Sequence, residues 1–200
     1  MTAPVAPLLV FGWGNLSRGD DALGPLCVER LRALPAADAR VDYLDDYQLQ
    51  VEHALDLVGR ERVLFVDASR SCRAPFELTQ LHAAPDISFT THALTPQALL
   101  QVFCDLRGEA PPPCTLLAIR GESFDLAAPL GAAAQAHLAA ALAWATDWLA
   151  APVAEPNTVD LPFGLSCPGT QALLFDLDCV QGGGGDDPGG AGAVDQAPNG

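Results

Sequence analysis

Three ionisable residues stand where chemistry could be done: Asp21, Asp67 and His92. Asp21 follows an apolar run, Leu8-Leu9-Val10-Phe11, and the glycine turn Gly12-Trp13-Gly14. Asp67 closes a second apolar run, Arg62-Val63-Leu64-Phe65-Val66, and His92 lies in a loop just ahead of Thr95-Pro96. Two carboxylates and an imidazole on one rim suit a borderline divalent metal with coordination positions left open. A carboxylate in that setting could equally serve as general base. Each residue also has a plainer reading. Asp21 can be a negative charge at a helix start, Asp67 the cap of a turn, and His92 an ordinary loop histidine. Their joint placement beyond parallel strands is what makes a candidate site of them.

The elements that must position them follow from hydrophobic periodicity. A strand is predicted over 7–11, then a polar loop carrying Asp20 and Asp21. A helix over 22–33 follows, with Leu23, Leu26, Cys27, Arg30 and Leu31 at helical spacing. A strand at 40–44 leads through Asp45-Asp46-Tyr47-Gln48 into a helix with Val51, Ala54, Leu55 and Val58 on one face. A buried parallel strand ends at Asp67. Residues 76–81 alternate and read as an edge strand with one solvated face. Thr95 as N-cap and Pro96 at the first helical position open a helix running to about 106. A buried strand at 114–119 and a long Ala-rich helix at 130–149, with Leu138, Leu142, Ala145 and Leu149 as its core face, complete the pattern. This alternation predicts a three-layer α/β/α sandwich on a mostly parallel, twisted sheet of about five strands. The domain is expected over 1–150. Residues 151–200 form a Gly/Pro-rich C-terminal extension expected to be largely disordered.

Composition removes several function classes. The chain has 25 acidic and 10 basic residues, net −15, which argues against a nucleic-acid or anionic-membrane surface. Every basic residue is Arg, which excludes a P-loop lysine, a Schiff-base lysine and Ser-Lys catalysis. The six cysteines form no C-x-x-C pair, the first apolar run leads straight into the glycine loop and is read as a strand and not a signal peptide, and no apolar stretch reaches spanning length. A cytoplasmic protein with reduced thiols is expected. Cys27 takes a core-facing helical position, and Cys72 lies in a polar stretch without a histidine partner, so neither reads as a nucleophile. His53, His82 and His137 have no setting comparable to that of His92, and His137 is expected at the surface. Dinucleotide binding fails on two counts. Ser17 stands where G-x-G-x-x-G needs its third glycine, and Asp20 and Asp21 would repel a pyrophosphate.

The order Gly12-x-Gly14-Asn15-x-x-x-x-Asp20-Asp21-x-x-Gly24, then Val66-Asp67, then Thr91-His92-Ala93-Leu94-Thr95-Pro96, resembles the [NiFe]-hydrogenase maturation endopeptidase family over about residues 7–150. The resemblance implies a phosphorylase/hydrolase-like fold. It also implies an activity: removal of a short C-terminal extension from the hydrogenase large-subunit precursor after nickel insertion. On this resemblance the metal-contacting residues are Asp21, Asp67 and His92, the nickel is borne by the substrate, and no organic cofactor is required. The partner is the large-subunit precursor, with no nucleic acid and no membrane, and the free protein is expected to be a monomer. The segment Gln48-Leu49-Gln50-Val51-Glu52-His53-Ala54 resembles the branch acting on soluble, cofactor-reducing hydrogenases. Two departures stand out: many members carry Glu where this chain has Asp21, and the last fifty or so residues exceed the family's usual length. Nickel held by substrate thiolates would take ligands from these residues and so fix the scissile bond. Either the metal then polarises the scissile carbonyl, or a carboxylate activates water, with Asp21 or Asp67 as the candidate base. The same ligands would also serve a non-catalytic nickel-binding assembly chaperone, which is the alternative reading.

Overall fold

The computed structural model describes residues 5–34, 40–85 and 94–152, all within one compact unit, Met1–Pro168. The extension expected from 151 onward lies, apart from its first two residues, outside the described residues.

Five strands form a single sheet: β1 (Leu8–Trp13), β2 (Val41–Asp46), β3 (Arg62–Ser69), β4 (Phe76–Leu81) and β5 (Cys114–Arg120). Their spatial order is β2-β1-β3-β5-β4, with every neighbouring pair parallel except β4 against β5. Alternation along each strand divides the core into two layers. Leu8 and Val10 of β1, Leu64 and Val66 of β3, and Leu117 and Ile119 of β5 face α1 (Leu23–Arg32) and α3 (Ala132–Ala150). Leu9, Phe11, Val63 and Phe65 face Leu99, Leu100 and Phe103 of α2 (Pro96–Arg107). The chain goes from β1 outward to β2 and then returns to place β3 on the other side of β1. Strand order therefore reverses between β1 and β3, and the carboxyl ends of these two strands frame a crevice. No helix among the described residues is long and apolar enough to cross a membrane.

Several predicted boundaries move, and two of the shifts matter for the site. β1 continues to Trp13 because Gly12 and Trp13 pair with Asp45 and Asp46. β3 continues to Ser69, so Asp67 lies inside the strand, in register with Ala118, rather than closing it. The helix expected from 22 is entered through a short 3₁₀ turn, Gly19–Ala22. The segment Val51–Leu57 is also 3₁₀, and it buries Ala54 and Leu57 while Val51 and Leu55 stand 57% and 62% exposed. Three residues per turn align positions three apart, so the apolar face predicted at α-helical spacing does not form. On α3 the buried positions are Ala134, Leu138, Ala141 and Ala145, while Leu142 and Leu149 pack only at the margin of the core. β4 is the edge strand expected, and Leu81, placed by its alternation on the solvated face, is buried instead in the α2 layer.

Gly24, in the first turn of α1, allows that helix to sit directly on the two central strands. A Cβ there would stand 2.3 Å from the Trp13 carbonyl oxygen and 2.8 Å from that of Val66, both backbone atoms that cannot swing aside. Gly24→Ala is expected to lower stability by about 2–3 kcal/mol. In urea unfolding this reads as a lower midpoint with an unchanged slope.

Candidate active site

Beyond β1 the chain turns back through a glycine that no other residue could replace cheaply. Gly14 has φ +140°, and a Cβ on it would lie 2.1 Å from the Asp21 carbonyl oxygen. The Gly14 N–H donates to the Asp46 carbonyl at 3.1 Å, and the Asn15 side-chain oxygen accepts from the Ser17 N–H at 2.8 Å. This folded loop presents the Asn15 N–H to the Asp21 carboxylate, 3.0 Å from Oδ2.

The two adjacent carboxylates of this loop take opposite surroundings. Asp20 is 1% exposed. Its Oδ2 accepts from the Glu122 and Ser123 N–H groups at 2.7 and 2.9 Å, and its Oδ1 from the Gly131 N–H at 3.0 Å. Burial alone would raise the Asp20 pKa, but the three backbone donors outweigh it, with His137 assisting, and the carboxyl is held below the ordinary value of 3.8. Asp20 is thus a structural anion tying the turn after β1 to the loop after β5.

Asp21 points away from that knot and lines a cavity of about 460 Å³ with Arg18, Ala68, Ser69, Arg70 and Phe124. Asp67, half-buried next to Ala68, completes a carboxylate pair with it. Burial pushes the Asp67 carboxyl up to about 7. Its hydrogen bond from the Ala68 N–H, at 2.8 Å, pulls the other way, the Asp21 charge pushes it further up, and the Trp13 indole lowers it. Near neutrality the Asp67 carboxyl is poised between its protonated and ionised forms beside a second acid, an arrangement suited to moving a proton or accepting a cation. Two oxygen donors are therefore together, and they fit a hard or borderline divalent ion. His92, the third expected ligand, lies outside the described residues. Among the described residues no group of three His, Cys, Asp or Glu side chains converges on a metal position.

The remaining histidines and thiols sort themselves by contact. His53 accepts the Gln50 N–H on Nδ1 at 3.0 Å and turns Nε2 to Asp46 Oδ2 at 3.3 Å, with its ring edge-on to Phe11. His137 is not the surface residue expected. It is half-buried, its Nδ1 lies 2.8 Å from the Arg120 carbonyl, and it contributes to the field at Asp20. Cys27, Cys72, Cys104 and Cys114 are buried and form no disulfide among the described residues. Burial raises the Cys27 and Cys114 thiols to about 12, so neither offers a thiolate near neutrality. Sequence reasoning missed Trp13, Phe124, Arg18 and Arg70, whose roles depend on partners far along the chain. For Trp13 the one available signal is an indole between two turn glycines, since its N–H needs an acceptor.

The fold is that of the hydrogenase maturation proteases. A [NiFe] hydrogenase maturation protease HycI from Thermococcus kodakarensis KOD1 superposes with TM-score 0.59 at 20% identity, covering 73% of this chain and 94% of that one. The hydrogenase maturating endopeptidase HybD from E. coli superposes with TM-score 0.58 at 25% identity, covering 72% and 91%. A hydrogenase 2 maturation peptidase from Thaumarchaeota archaeon SCGC_AB-539-E09 gives 0.54 at 27%, covering 72% and 97%. No protein-family model matches the sequence, and no curated relative matches it either.

The opposite states of Asp20 and Asp67 predict opposite pH behaviour. Asp20→Asn turns an amide N–H₂ toward backbone donors and is expected to cost about 3 kcal/mol at neutral pH. The difference from wild type should narrow as pH falls below 3.8 and vanish only below the lower value at which the folded chain itself loses this anion. For Asp67 the folded chain holds its proton to about pH 7, whereas the unfolded chain releases it near 3.8. Stability on this account is full below the lower value and declines as pH rises toward the upper one. Asp67→Asn should therefore match wild type in acid and exceed it above neutrality by roughly 2 kcal/mol, screening included. Thermal melts across the pH range check both, and an Asp67→Asn effect independent of pH would contradict the assignment.

Proposed function

We propose that this chain, which belongs by fold with the hydrogenase maturation proteases, is an endopeptidase. It removes the C-terminal extension of a nickel-loaded [NiFe]-hydrogenase large-subunit precursor. The observation that carries this reading is the coupled pair Asp21 and Asp67 at the crevice between β1 and β3, with the Asp67 carboxyl poised near neutrality.

In this reading the metal belongs to the substrate. A nickel centre held by precursor thiolates would approach two carboxylates whose mutual repulsion a cation relieves. Asp21, fixed by the Asn15 N–H, and Asp67, fixed within β3, would engage it together with His92 and so hold the neighbouring peptide bond in the crevice. Precursors without nickel would lack this handle and escape cutting. Of the two carboxylates, Asp67 is the better general base for activating water. Its proton affinity lies near working pH, where a base is both available and effective. The proton it takes up would pass to the leaving amine.

Intact mass of a large-subunit precursor incubated with this protein, with and without nickel, tests the proposal. Loss of a short C-terminal peptide is expected only with nickel present. Asp21→Ala, Asp67→Ala and His92→Ala should each reduce cleavage at least a hundredfold while leaving the fold intact. A precursor of unchanged mass in stable complex with the protein would favour a nickel-binding assembly chaperone instead.

A further inference from the structure

The cavity that Asp21 lines is also walled by two arginines, and neither is explained by the carboxylate pair. Arg18 donates through Nε to the Phe124 carbonyl at 3.0 Å, and the Arg70 guanidinium lies over the Phe124 ring, 4.1 Å from its centroid. Phe124 is itself buried, in the loop that Asp20 fastens through the Glu122, Ser123 and Gly131 N–H groups. Both guanidiniums are therefore oriented by one anchored residue, by a hydrogen bond in one case and a flat stack in the other. Among the described residues their remaining N–H donors meet no acceptor. Arg32, Arg60 and Arg107 each pair with a carboxylate, whereas among the described residues Arg18 and Arg70, like Arg30, Arg62, Arg73 and Arg120, have none within ion-pair distance; of these unpaired arginines, Arg18 and Arg70 are the two that line the cavity. In a chain carrying 25 acidic residues to 10 basic ones, two cations without a carboxylate facing one cavity is a marked arrangement. Ser69 adds to it: its oxygen accepts from the Ser71 and Cys72 N–H groups, which leaves the hydroxyl proton free to donate into the same wall.

We propose that Arg18 and Arg70 form a carboxylate clamp that reads the segment to be removed from the precursor. This rests on the endopeptidase reading above. The clamp would take a carboxylate of that segment, from an acidic side chain or from the chain's own C-terminus, by paired guanidinium N–H donation. It would thereby set the segment's direction across Asp21 and Asp67. Arg18 and Arg70 are specificity and positioning residues in this scheme, not proton carriers.

The test measures binding and cleavage separately on the full-length protein and a nickel-loaded precursor. Arg18→Gln and Arg70→Met are the variants, the latter keeping an apolar stem over Phe124. Each should weaken precursor binding and raise KM about tenfold with kcat nearly unchanged, and Arg70→Lys should recover part of the loss. Two precursor forms identify the source of the carboxylate. If replacing the segment's Asp and Glu by their amides raises KM and erases the effect of the arginine variants, the clamp reads side chains. If a C-terminal amide does so, it reads the terminus. If neither form changes KM, or if the arginine variants bind the precursor as wild type does, the clamp is overturned. Wild-type protein that binds the precursor without cutting it would overturn the endopeptidase reading alone, and the binding comparison would still decide the clamp. Absence of any binding by wild type would overturn both.

Discussion

The Asp20 carboxylate is the interaction on which the rest of the site depends. An anion taken almost wholly out of water is tolerable only when its lone pairs are filled, and three backbone N–H groups fill them. Those donors belong to the loop after β5 and to the residue that opens α3, so a single side chain from the turn after β1 fixes the loop at both ends. The fit is close on the other side as well: a Cβ on Gly121 would stand 2.9 Å from the Asp20 Cβ. The chain's own backbone adds a reciprocal bond, Asp20 N–H to the Ser123 carbonyl at 2.8 Å. Phe124 follows immediately. Its placement, and with it that of Arg18 and Arg70, is a consequence of how Asp20 is solvated by protein rather than by water.

Asp67 shows the same chemistry with the opposite outcome. It has one backbone donor where Asp20 has three, and it faces a second carboxylate. The first carboxyl is held as an anion and the second tends to keep its proton to about neutrality. Burial raises both carboxyls and is the largest cause at Asp67, where one backbone donor and the Trp13 indole do not offset it and the Asp21 charge adds to it; at Asp20 three backbone donors outweigh it. A crevice organised this way is unstable as a double anion. A cation can relieve it, and so can a proton.

The sheet and its two layers were legible because alternation and helical spacing are local properties of sequence. So was the start of α2, where the Thr95 side chain accepts from the Ala98 N–H at 3.2 Å with Pro96 following. That Asp21 and Asp67 come close together was legible for the same reason, since each lies just beyond an apolar run. What was not legible depends on partners about a hundred residues away. Nothing in Gly19-Asp20-Asp21 says which carboxylate turns inward, because the answer is written in the loop after β5. The 3₁₀ geometry of Val51–Leu57 was hidden in another way. Its capping box, with Gln50 and His53 bonded reciprocally, fixes the entry to the turn, and Ala54 and Leu57 serve a three-residue repeat although Val51, Leu55 and Val58 suggest a longer one.

The position of Asp67 inside β3 bears on the shortness of Asp21. A strand residue in register with Ala118 cannot shift along the sheet without breaking its ladder, so the Asp67 carboxyl is a fixed point. Asp21 must reach toward it from a loop, and with one methylene fewer than Glu it has less reach but also fewer rotamers to lose. The loop makes up the difference through its backbone. Gly14 at φ +140° brings the Asn15 N–H to Asp21 Oδ2, and the 3₁₀ turn Gly19–Ala22 sets the side chain at the cavity wall. A longer acid on a looser loop and a shorter acid on a tighter one can present an oxygen at the same place. This chain has the second arrangement, and its precision comes from a glycine and a backbone N–H rather than from side-chain length.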